Sequence, residues 1–167
     1  MPLQGVVIVR HGHEDRENCC SSEDGQRQMF SLGGQLRVLT LGFKTLILFS
    51  TRPRAIHSAG ILQGVLGTSA IPTPLLVWDD DKRPENEDID ALLALIRSFE
   101  SQYDLLILVT HLMYLNILPG RIAKEVWHKD LPPGFDSLAD FNYGTGLLMP
   151  WGSPKNPRVE ILVPKVP

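Results

Sequence analysis

Cysteine is almost missing from this chain: Cys19 and Cys20 are its only two among 167 residues. Adjacent cysteines rarely reach relaxed disulfide geometry with each other, so no structural disulfide is expected. A zinc site would draw on a spaced pair, and neither HExxH nor a carboxylate cage with metal spacing is present. No metal and no cofactor are therefore expected. An excess of positive charge is missing too. Sixteen basic residues stand against 19 acidic ones, for a net charge of -3, and no Lys/Arg run occurs. That excludes the electrostatic footprint of a nucleic-acid binder. An anionic ligand would have to be held by a local cluster of positive groups. No apolar run approaches the ~20 residues of a membrane span. The opening MPLQGVVIVRHG shows neither the basic start nor the long apolar stretch of a signal peptide, so a cytoplasmic location is expected.

Short apolar runs alternating with helical periodicity are what the chain does have. Val6–Val9 and Leu46–Phe49 read as central strands buried on both faces, with Leu75–Trp78 and Leu105–Val109 as further strands. Residues 13–28 are polar and read as an exposed loop. Ser31 is placed to cap a helix running to about Leu41, with Leu32, Leu36 and Leu39 inward and Gly42 ending it. Ala55, Ala59, Leu62 and Leu66 mark a second helix, and Ile89, Leu92, Leu93, Ile96 and Phe99 a third. A fourth helical segment is expected to break at Pro119-Gly120. Residues 128–142 read as loop. Gly146–Met149 and Val159–Val163 read as two late strands, antiparallel at an edge. This order implies an α/β fold: a three-layer αβα sandwich around a mainly parallel sheet, in one domain spanning residues 1–167.

In such sheets ligands sit beyond the carboxyl ends of the strands. Arg10 and His11 follow the first strand, Arg52 and Arg54 the second, Asp79, Asp80 and Asp81 the third, and His111 the fourth. Guanidiniums offer forked donors that match phosphate oxygens. A neutral imidazole can donate to a phosphoryl oxygen or attack phosphorus. The helix opening near Arg54 adds its positive end. His13, His57 and His128 are read as solvated or structural histidines, Trp78, Trp127 and Trp151 as packing residues, and the cysteines as loop thiols.

Arg10-His11-Gly12 at the first strand end resembles the signature of the histidine phosphatase superfamily, the phosphoglycerate-mutase-like proteins. Ser50-Thr51-Arg52-Pro53-Arg54-Ala55 and Val109-Thr110-His111 resemble its second and third blocks, and Arg27–Ser31 the segment opening its first helix. The resemblance covers most of the chain and is strongest to the small SixA-type branch. It implies a phosphoglycerate mutase-like fold and a metal-independent phosphatase. His11 would be the nucleophile, forming a transient phosphohistidine. Arg10, Arg54 and His111 would hold the phosphoryl oxygens, and Gly12 would let the backbone approach the ligand. The substrate implied is a phosphorylated protein side chain (phosphohistidine) or a small phosphomonoester. Leu112 stands where the family usually has Gly or Asn after its second histidine. The mutase branch's proton-donating Glu has no clear counterpart; Asp80, Asp79 and Glu14 are the candidate donors. A mutase-like phosphotransferase and a phospho-ligand binding domain with little turnover are the alternative readings.

Overall fold

The structure is a computed structural model that describes residues 2–15, 17, 20–78, 84–131, 141–152, 155 and 158–165. Its six-stranded sheet consists of β1 (Gly5–Arg10), β2 (Thr45–Ser50), β3 (Ser69–Thr73), β4 (Leu105–Thr110), β5 (Gly146–Pro150) and β6 (Glu160–Leu162), in the order β3-β2-β4-β1-β5-β6. β1, β4, β2 and β3 run parallel, while β5 and β6 are antiparallel additions at one edge, as the sequence suggests. The helices are α1 (Glu23–Leu39), α2 (Pro53–Leu66), α3 (Asn86–Ser98) and α4 (Leu112–Ile122).

The sheet is covered on both faces, which is why its central strands read as unbroken apolar runs. Val7, Val9, Ile47, Ile107 and Val109 point to one side, where Met29, Leu32 and Leu36 of α1 and Ala55, Ala59 and Leu62 of α2 pack on them. Val6, Ile8, Leu46, Leu48, Leu106 and Leu108 point to the other, against Ile89, Leu92, Leu93 and Ile96 of α3 and Tyr114, Leu115 and Leu118 of α4. The result is the expected three-layer αβα sandwich of the phosphoglycerate mutase-like type.

Several boundaries differ from the sequence reading. α1 is capped nine residues before Ser31: Ser22 is its N-cap, and the Ser22 hydroxyl accepts the Gly25 N–H at 3.1 Å. Glu23 and Asp24 in the first turn suit the helix's positive end. This turn faces water, so its polar residues carry no apolar period and resemble a loop. Met29 supplies the third inward position, and Leu39 is 41% exposed. Gly33 and Gly34 do not break α1. At Gly33 a Cβ would lie 3.0 Å from Val65 Cγ1, so the missing side chain is what lets α1 approach α2. Gly42 lies beyond the helix, in a turn with φ of 84°.

The third strand is Ser69–Thr73 and not Leu75–Trp78. Its sequence SAIPT is short, mostly exposed and holds Pro72, as suits an edge strand. The apolar Pro74–Leu76 instead forms a 3-10 turn whose Leu76 enters the core. Thr110 Oγ1 donates to Leu76 O (3.0 Å), and the Tyr114 hydroxyl lies 2.7 Å from Leu75 O and 3.2 Å from Val77 O. α4 does not break at Pro119. Its ring is buried within the helix, which ends only at a wider π turn, Ala123–Trp127. Trp127 and Trp151 pack as expected, their ring N–H groups donating to Pro150 O and Glu100 Oε1. Among the described residues, no helix is long and apolar enough to cross a membrane.

Candidate active site

Register brings the two histidines together. Arg10 on β1 pairs with Thr110 on the adjacent β4, so the next residue of each strand, His11 and His111, leaves the sheet at the same height. Their ring centroids are 5.2 Å apart. Both imidazoles are buried, at 4% and 1% exposure. Ser50 ends β2 on the other side of β4, and α2 opens just beyond it with Arg52 as N-cap and Pro53 as its first residue.

The His11 ring is fixed by a 2.8 Å hydrogen bond between Nδ1 and the Gly12 carbonyl. A carbonyl only accepts, so Nδ1 carries the hydrogen and Nε2 carries the lone pair. Burial pushes the His11 pKa down to about 4, with the positive charges of Arg54 and Arg10 acting in the same direction. The imidazole is therefore neutral near pH 7, the form that can act as a nucleophile. His111 is pushed down to about 3, by burial first and then by His11, Arg54, Arg52 and Arg10. Ser50 Oγ accepts the Arg52 backbone N–H at 3.3 Å and lies 2.9 Å from His111 Nε2. With its own hydroxyl hydrogen turned to Nε2, the remaining His111 hydrogen sits on Nδ1.

That Nδ1 has no partner. The buried side-chain nitrogens without a hydrogen-bond partner among the described residues are His111 Nδ1, Arg10 Nε and Arg54 Nε. Buried donors are ordinarily satisfied, so unmet ones at one sheet edge mark a place for an acceptor. Arg10 donates through Nη1 to Phe141 O, and its guanidinium lies 3.8 Å from the Tyr143 ring centroid. Burial lowers the Arg10 pKa, and Tyr143 and Glu14 oppose that. Arg54 Nη1 is held by Glu14 Oε2 at 2.9 Å.

Gly12 also has a packing part. A Cβ there would lie 2.4 Å from Gly25 O, and a Cβ at Gly25 would lie 2.1 Å from His13 O. These glycines let the first strand's exit pass against the start of α1. The Gly12 N–H is already engaged by Ser58 Oγ at 3.0 Å, which in turn donates to Arg54 O at 2.8 Å. Gly12 thus ties the His11 turn to α2.

The structure brings Arg10, His11, Arg54, His111 and Glu14 together. Asp79, Asp80 and Asp81 lie outside the described residues, as does Cys19. Leu112, the first residue of α4, is half-buried and packs against the α3–α4 core. His57 is structural as expected: its Nδ1 accepts the Ser21 N–H at 3.3 Å. His13 bonds Ser22 Oγ at 2.9 Å and lies 5.1 Å from the Tyr143 ring. The sequence reading missed Ser50 and Tyr143 as site residues. Tyr143 is also 5.5 Å from the His11 ring, and it precedes Gly144, whose φ of 75° suits glycine. Trp78, expected only to pack, also stands 6.4 Å from the His111 ring. The described residues contain no cluster of metal-ligating side chains.

No protein-family model matches the chain. No curated protein sequence matches it either. Solved structures do. One is a protein assigned as the phosphohistidine phosphatase SixA from Agrobacterium tumefaciens, 13% identical, with 97% of this chain and 99% of that one covered and a TM-score of 0.68. A protein histidine phosphatase SixA in complex with tungstate is 16% identical, over 96% and 97% of the two chains, at a TM-score of 0.66. A mycobacterial glucosyl-3-phosphoglycerate phosphatase in complex with VO3 is 17% identical, over 96% and 98%, at 0.66. The fold is thus the one shared by SixA-type phosphatases and phosphoglycerate mutases.

Proposed function

We propose that the protein is a phosphatase of the histidine phosphatase superfamily that works through a phosphohistidine at His11. The observation that carries this reading is the set of unpartnered buried donors, Arg10 Nε, Arg54 Nε and His111 Nδ1, beside an imidazole whose free Nε2 is neutral at pH 7. In the first step Nε2 forms a bond to phosphorus as the bond to the leaving group breaks, and the leaving group takes the electron pair. Arg10, Arg54 and His111 hold the phosphoryl oxygens through transfer. In the second step water attacks phosphorus and His11 regains its lone pair.

The leaving group decides how far a proton donor is needed. Among the candidate donors, Glu14 is the one within the described residues, and it is paired with Arg54. We favour substrates whose leaving group departs without strong acid help, as from phosphohistidine or an acyl phosphate, on a protein or a small metabolite, because the mutase branch's proton-donating Glu has no clear counterpart in the sequence. The reading needs neither metal nor cofactor, nucleic acid or membrane, and we propose with it a single-domain cytoplasmic protein.

The test is phosphate release from an activated aryl phosphate with a chelator present, wild type beside His11→Ala. Chelator-resistant release that disappears in the variant is the expected result. Equal release by both proteins would remove His11 from the mechanism.

A further inference from the structure

One cavity, of about 460 Å³, lies at the amino-terminal ends of β2 and β3, around Arg37, Lys44 and Tyr103, and nothing there indicates an occupant. The telling feature is inside the proposed phosphoryl pocket itself. Arg54 is not free there: Glu14, three residues after His11, already holds Nη1 at 2.9 Å, and both side chains are largely covered, at 22% and 27% exposure.

We infer that Glu14 is a built-in competitor of the phosphoryl group, a tethered carboxylate that occupies Arg54 in the empty site and returns to it when phosphate leaves. This rests on the phosphatase reading above.

The backbone keeps Glu14 within reach. Residues 14 and 21 form an isolated antiparallel bridge, Asp15 N–H donates to Cys20 O at 2.8 Å, and Ser22 N–H donates to His13 O at 2.9 Å. This short return closes the chain on itself directly after the His11 turn, while Gly12 and Gly25 lock that turn against α1. The carboxylate is therefore presented at a fixed distance from Arg54 by main-chain bonds that do not involve its side chain. A tethered group acts at an effective concentration that a dilute free anion does not match.

Glu14 holds Nη1 and leaves Nε open, so a phosphoryl dianion arriving at Nε shares the guanidinium with a carboxylate of like sign. Each phosphoryl group that reaches Arg54 Nη1 must displace Glu14, and the displaced charge then faces a ligand of like sign. For an anion that needs Nη1, the apparent affinity is reduced to the fraction of molecules in which Glu14 is off Arg54. Substrate, inorganic phosphate and inert oxyanions are affected alike, so Glu14 weakens retention of the product as well as entry of the substrate. The cluster of Arg10, Arg54, Arg52 and two buried imidazoles would otherwise favour trapping phosphate. Removing the carboxylate should tighten every anion and slow phosphate departure.

The direct test is tungstate binding to the full chain, by calorimetry at pH 7, for wild type, Glu14→Gln and Glu14→Ala. Tungstate is an inert dianion that undergoes no turnover, so the measurement does not depend on catalysis. The expected result is a roughly tenfold tighter Kd in Glu14→Ala, a smaller gain in Glu14→Gln (whose amide oxygen can still meet Arg54), and the same direction for inorganic phosphate as a product inhibitor. In an Arg54→Ala background the Glu14 substitution should have little effect. Weaker binding in both Glu14 variants would overturn the proposal and make Glu14 a brace that orients Arg54. Unchanged Kd would overturn it as well. No binding to wild type or variants would overturn both this proposal and the phosphoryl pocket beneath it. Binding tightened as expected in a protein that releases no phosphate would leave the competitor standing and fell the phosphatase reading alone.

Discussion

Single side chains carry the proposed chemistry, and they differ in how openly the sequence declares them. Arg10, His11, Arg54 and His111 are legible because each immediately follows an apolar strand run or opens a helix, where α/β sheets collect ligand groups. Ser50 is not legible in this way. Its contribution runs through His111, 61 positions away, and a serine at a strand end has an ordinary turn role. Tyr143 is hidden for another reason: it lies in a stretch without periodicity, and only the return of β5 beside β1 brings it over Arg10. Ser50→Ala removes the hydroxyl that bonds His111 Nε2 and leaves that buried nitrogen unsatisfied. A loss of about 1–3 kcal/mol of folding stability is expected, together with a fall of roughly tenfold in kcat/KM on an aryl phosphate. Urea unfolding and steady-state kinetics check the two effects. An unchanged kcat/KM would mean that Ser50 does not orient the histidine.

Secondary-structure elements are legible where they are buried and obscure where they face water. β1, β2 and β4 are covered on both sides, and their apolar runs announce them. β3 is an edge strand, so its residues alternate weakly and the neighbouring apolar turn at Pro74–Leu76 draws the eye instead. The first turns of α1 are exposed and polar, so the apolar period starts only at Met29 although the helix starts at Glu23. The glycines of α1 show why propensity alone misleads. Gly34 has nothing within 4 Å of where a Cβ would be, whereas a Cβ at Gly25 would overlap the His13 carbonyl at 2.1 Å. Gly34→Ala should therefore stabilise the fold, by up to about 1 kcal/mol from helix propensity. Gly25→Ala should destabilise it by about 1–3 kcal/mol and displace the His11 turn. Thermal unfolding of the two variants beside wild type decides it, and a shift of the same sign in both would refute this account of how α1 docks.

At the scale of the whole molecule, the site has a cost in acid. The folded state keeps His11 and His111 neutral down to about pH 4 and about pH 3, whereas the unfolded chain protonates them below their ordinary value of about 6.5. The unfolded state thus binds more protons between these limits, and stability falls as pH falls through that window. Each imidazole contributes up to about 1.4 kcal/mol per pH unit there, so a loss of roughly 4 kcal/mol is expected between pH 7 and pH 5. Below the folded-state values the effect levels off. Urea melts at pH 7 and pH 5 should show this drop in wild type and about half of it in His111→Asn. A pH-independent wild type would contradict the burial of neutral imidazoles at this sheet edge.

The same neutral, buried His11 is what the proposed mechanism requires, and its covalent intermediate can be sought directly. The protein is mixed with excess activated aryl phosphate, quenched under alkaline conditions that preserve phosphohistidine, digested and analysed by mass spectrometry. A phosphoryl group on the peptide carrying His11, absent when the quench is acidic and absent in His11→Ala, is the expected result. Substrate turnover with no phosphoryl group on His11 at any quench time, or with the group on another residue, would contradict the central claim.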